Sequence, residues 1–109
     1  MDELALPRSQ LLGALGVIGE SLLKARRHFK DIKLSDHAWA KAIAMLPKPL
    51  DANRTLDARQ FGPAFEAEVK KLNRHLTNIT SSQGPSKGEA MMAVIDEGIR
   101  MAQALESQL

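Results

Sequence analysis

Between residues 24 and 33 the chain reads KARRHFKDIK, the one stretch whose residue types cluster tightly enough to suggest chemistry. Lys24, Arg26, Arg27, Lys30 and Lys33 against Asp31 give it a local formal charge of +4, while the whole chain carries +2. Such a cluster can bind a phosphate backbone or an acidic protein surface. The reading expected first is the solvated, charged end of a helix, where cations offset the partial negative charge of unpaired carbonyls by roughly 0.3–1 kcal/mol each. No aromatic platform or recognised reader motif accompanies it, so contact with an acidic protein is expected ahead of nucleic acid.

The remaining reactive side chains form no catalytic, cofactor-binding or metal-binding pattern. His28, His37 and His75 fall on separate predicted helices, without the i, i+4 pairing of a helical ligand pair. Glu66 and Glu68 lie on opposite sides of one turn, and Asp96 and Glu97 point in different directions. GPSKG at residues 84–88 lacks the spacing of a phosphate loop, and helix capping accounts for it. Around His75 the sequence Arg74-His75-Leu76-Thr77-Asn78-Ile79 is similar in general form to histidine phosphotransfer domains, which are bundles bearing an exposed helical histidine. It departs from them where Thr77 or Asn78 replaces the expected Lys and Ile79 replaces the expected Gly. No enzyme activity and no cofactor is expected, and phosphotransfer remains a remote alternative.

The elements that would carry these residues follow from period and punctuation. Leu11, Leu15, Ile18, Leu22, Ala25 and Phe29 recur at spacings of 4 and 3, one stripe of a helix over 9–30, with Ser9 as its expected N-cap. Leu12 and Leu23 are expected to widen that stripe. Gly13, Gly16 and Gly19 weaken the same helix by about 1 kcal/mol each; either another backbone approaches them closely, or the first turns fray. A short helix over 36–46 begins at Ser35, carries Trp39, Ile43 and Leu46, and stops before Pro47. PKPLDANRT, residues 47–55, reads as a proline-bearing linker, and residues 56–61 as a helical lead-in.

Phe65, Val69, Leu72, Leu76 and Ile79 set a third helix over 63–81 that opens on Pro63. After the turn SSQGP, Ser86 and Glu89 form a capping box. It leads into a fourth helix over 87–107, with Met91, Met92, Ile95, Ile99, Ala102 and Leu105 on its apolar face.

The expected fold is therefore all-α: a single-domain bundle of three long helices and one short one. The composition agrees, being 44% hydrophobic and 4% aromatic with no Tyr. Cysteine is absent, which leaves packing rather than disulfides or thiolate-bound zinc to hold the fold. The amino-terminal residues lack the charge order of a signal peptide, and LLGALGVIG at 11–19 is too short to span a bilayer, so a cytoplasmic, membrane-free protein is expected. The two N-x-T sequons at Asn53 and Asn78 are then chance matches.

Size, composition and missing site chemistry point to a non-enzymatic regulator, inhibitor or chaperone-like protein, of the kind found among small bacterial and phage proteins, that masks a partner's functional face. Lys24, Arg26, Arg27, Lys30, Lys33 and Trp39 are the expected partner contacts. Gly13, Gly16, Gly19, Met91 and Met92 are the expected contacts of a homodimer, which the wide apolar face of the last helix leaves open. Nucleic-acid binding through the basic stretch is the alternative.

Overall fold

A computed structural model describes residues 3–30, 36–80 and 88–109 of the chain. Five helices lie among the described residues: α1 (Ala5–Phe29), α2 (Asp36–Ala44), α3 (Ala52–Arg59), α4 (Pro63–Thr80) and α5 (Gly88–Ser107). The protein is all-α, and no strand occurs among the described residues. No described helix is long and apolar enough to cross a membrane.

Contacts at the helix ends fix the topology. Phe29, closing α1, meets Trp39 of α2, and Arg8, opening α1, stacks on Phe61 just beyond α3. The α2–α3 column therefore runs antiparallel to α1. Asn73, midway along α4, binds Leu50, and Glu66 near its start binds Arg59, so α4 reverses direction again. Contacts of α5 with His75 of α4 and with Arg26 of α1 complete an up-down-up-down bundle whose second column is broken in two. Its extents of 53 × 21 × 19 Å agree with columns laid along one axis.

That broken column corrects the expected four helices. The linker is shorter than residues 47–55, because α3 begins at Ala52. Asp51 supplies the start: its backbone is extended, with φ −74° and ψ 176°, and its carboxylate accepts the Arg54 N–H at 2.9 Å. Proline at 47 and 49 still explains the break, since neither can continue the α2 hydrogen-bond ladder. The Leu50 N–H that follows is satisfied by the Asn73 side-chain oxygen at 2.8 Å. Column two is thus pinned to α4 at its interruption.

Helix α1 also starts earlier than expected. Ser9 lies inside it, and the N-cap is Leu4, which makes no side-chain cap hydrogen bond. Pro7 is accommodated because it falls in the first turn, where its missing N–H breaks no intrahelical bond. Nor do the first turns fray: the helix is continuous through Gly13, Gly16 and Gly19. Leu11, Leu15, Ile18, Leu22, Ala25 and Phe29 are all buried, and a buried Leu or Ile stabilises by roughly 1.5–3 kcal/mol. Four such residues outweigh three glycine penalties of about 1 kcal/mol each, so packing rather than propensity holds α1 together.

Between α3 and α4, Gly62 has φ +102°, a conformation that side chains with a Cβ adopt only under strain. It lets α3 end and α4 begin at once, with Pro63 as the first residue of α4. The core runs the length of the bundle through Phe65, Val69, Leu72 and Leu76 of α4 and Met91, Ile95, Ala102 and Leu105 of α5. Ser35, the turn at 81–85 and the Ser86 capping box lie outside the described residues.

Candidate interaction surfaces

The last turns of α1 divide the basic cluster by direction. Arg26 faces α5, where its Nε donates to Asp96 Oδ1 at 2.7 Å. It is a bridge between helices and is not free for a partner. Lys24, Arg27 and Lys30 are exposed and form no ion pair among the described residues. Lys33 lies outside the described residues. A helix repeats every 3.6 residues, so Lys24 and Arg27 share a side of α1, and Lys30 stands one turn beyond Arg27. Trp39 is half-buried, its ring set edge-on against Phe29 with centroids 4.7 Å apart and planes at 73°. This is a favoured aromatic geometry, and it makes Trp39 a closing piece of the bundle end rather than a free anchor.

A second surface lies between α1 and α5. Gly13, Gly16 and Gly19 floor a groove of about 470 Å³, with Val17 and Leu23 on the α1 side and Ile99 on the α5 side. A Cβ placed on any of the three glycines would find nothing within 4 Å. Nothing inside the chain therefore needs them to be glycine. Leu12 and Leu23 do not widen the core stripe as expected, being 37% and 46% exposed beside these glycines, and Val17 is 65% exposed. Glu20, Gln103 and Glu106 complete the lining, so small and apolar residues share this face with two carboxylates, and no described residue packs over the three glycines.

Of the two methionines expected at an oligomer contact, Met91 is 1% exposed and belongs to the core, and Met92 packs partly buried against it. Gly98, a minor irregularity in sequence, is the glycine with a packing role. A Cβ there would lie 3.1 Å from Leu22 Cδ1 and 3.4 Å from His75 Cδ2, so its absence allows α1, α4 and α5 to converge.

Among the histidines, His28 and His37 are exposed, and His75 is half-buried with Nε2 2.6 Å from the Val94 carbonyl oxygen. This contact ties α4 to α5, and phosphoryl transfer through that nitrogen would require it to break. Glu66 is occupied by Arg59 at 2.8 Å and Lys70 at 3.8 Å, and Glu68 by Lys71 at 3.3 Å. Among the described residues no three His, Cys, Asp or Glu side chains come together in a way that could hold a metal ion.

From the sequence Gly13, Gly16 and Gly19 were expected at an outer contact, but Leu12 and Leu23, which lie exposed beside them, were assigned to the core stripe. The available signal was angular: Leu12 and Leu23 fall with the glycines, about a quarter-turn away from Leu11, Leu15 and Leu22. Set against protein-family models, curated proteins and solved structures, the chain matches none.

Proposed function

We propose that the protein is a non-enzymatic binding module, a regulator or inhibitor that masks an acidic face of another protein with the basic end of α1. The observation that carries this reading is the outward direction of Lys24, Arg27 and Lys30, free of ion pairs among the described residues, while Arg26 is held by Asp96. Paired cations are bundle structure. Exposed cations clustered at the end of one rigid helix attract a complementary surface and speed its encounter.

Affinity capture from the source cell, followed by mass spectrometry, should return a protein with an acidic contact face. Lys24→Glu, Arg27→Glu and Lys30→Glu together should weaken that complex by at least about 10-fold at low salt, because each now repels the partner. Unchanged affinity removes the basic end from the mechanism. Duplex DNA serves as the contrasting ligand. Binding to it without sequence preference, falling steeply between two salt concentrations, would favour the nucleic-acid alternative instead.

A further inference from the structure

The two halves of the second column are alike in size and unlike in how they are held. α2 has nine residues and α3 eight, and each buries a single alanine, Ala42 and Ala58. Isolated helices shorter than roughly 12–15 residues are marginal in water, so each half persists only through its neighbours.

Those neighbours differ. α3 packs against both α1 and α4. Asp51 caps its start just after the Leu50 N–H binds Asn73 of α4, and its last residue, Arg59, is bonded to Glu66 of the same helix. α2 packs principally against α1. Its hold is apolar: Ala42 is buried, and Trp39 and Ile43 lie partly buried against the core, with Trp39 edge-on to Phe29. Asp36, His37 and Lys41 are exposed and form no ion pair among the described residues. Beyond α2, Pro47 and Pro49 have no N–H with which to carry a hydrogen-bond ladder into α3. The column can therefore part at that point while Asn73 keeps hold of Leu50.

Low burial and one principal neighbour are the marks of a segment that opens well below the free energy of global unfolding. We infer that α2 is a flap that opens as a unit, apart from α3 and the rest of the bundle, and bares Phe29 at the basic end of α1. Phe29 is fully buried when α2 is closed, and it lies between Arg27 and Lys30 in the chain. Opening thus adds an apolar side chain to the basic surface. The flap follows from packing within the chain and does not rest on the partner-binding reading.

Thiol labelling of the full chain tests the flap, because the protein has no cysteine of its own. Ala42, Ala58 and Ala102 are each 0% exposed, on α2, α3 and α5. A cysteine at any of them reacts only when its helix leaves the bundle, and each rate is taken relative to the same variant unfolded in urea. Ala42→Cys should label at least about 100-fold faster than Ala102→Cys, with Ala58→Cys within about 10-fold of the slow rate. Val69 lies between Glu66 and Asn73, level with α3 rather than α2. Adding Val69→Ala should therefore speed Ala102→Cys labelling by at least about 10-fold and leave that of Ala42→Cys unchanged. Amide exchange of the unaltered chain gives the same comparison without a substitution: residues 40–44 should exchange well ahead of residues 72–76. Ala42→Cys labelling as slow as Ala102→Cys overturns the inference, since α2 would then leave only when the whole chain unfolds. So does Ala58→Cys labelling as fast as Ala42→Cys, which would mean that the second column moves in one piece, or protection of the α2 amides equal to that of α4.

Discussion

Replacing Gly13, Gly16 and Gly19 by alanine should make the isolated chain more stable. Within a helix, alanine is favoured over glycine by about 0.8–1 kcal/mol, mostly because glycine loses more backbone freedom on folding. The added methyl groups meet no atom within 4 Å at any of the three sites, so no steric cost offsets the gain. Three independent increments sum to roughly 2.5 kcal/mol, a large share of the 5–15 kcal/mol typical of a whole domain. Urea unfolding followed by helical dichroism is the assay, at protein concentrations low enough for the wild-type chain to be monomeric. With m near 1–3 kcal/mol/M, the midpoint should rise by about 0.8–2.5 M at unchanged m. Gly98→Ala is the internal control: its Cβ would crowd Leu22 and His75, so it should fall at least about 1 kcal/mol below the average gain of the other three. A triple variant no more stable than wild type would refute the reasoning, by showing that α1 draws on these glycines within a single chain.

Two further substitutions probe the broken second column. Asn73→Ala removes the acceptor of the Leu50 N–H and leaves a part-buried donor unpaired, which should cost about 1–3 kcal/mol in the same unfolding assay; Asn73→Asp, which keeps an acceptor, should recover part of it. Gly62→Ala, forced to hold φ near +102°, should cost at least about 1 kcal/mol by thermal melting, opposite in sign to the α1 substitutions.

How far the sequence could be read differs from element to element. The buried stripes of α1, α4 and α5 were legible because each repeats over four or more turns, so errors at one position do not shift the face. The ends of α1 and α2 were less so, since Ser9 resembles a cap but is outcompeted by an amphipathic pattern that reaches back to Pro7. Helix α3 was legible only in its second half, as a helical lead-in at 56–61, because Pro47 and Pro49 made residues 47–55 read as linker. The proline pair announces an interruption, but it does not say that Asp51 restarts a helix four residues later. At the candidate surfaces, charge was legible and direction was not. Arg26 and Arg27 are adjacent in sequence, yet only the position of Asp96 on α5 decides that the first is bound, while the second has no ion pair among the described residues. The glycines show the same limit. Their type signals a close approach, but only the packed bundle reveals that Gly98 receives one from within the chain while a Cβ at Gly13, Gly16 or Gly19 would meet nothing within 4 Å.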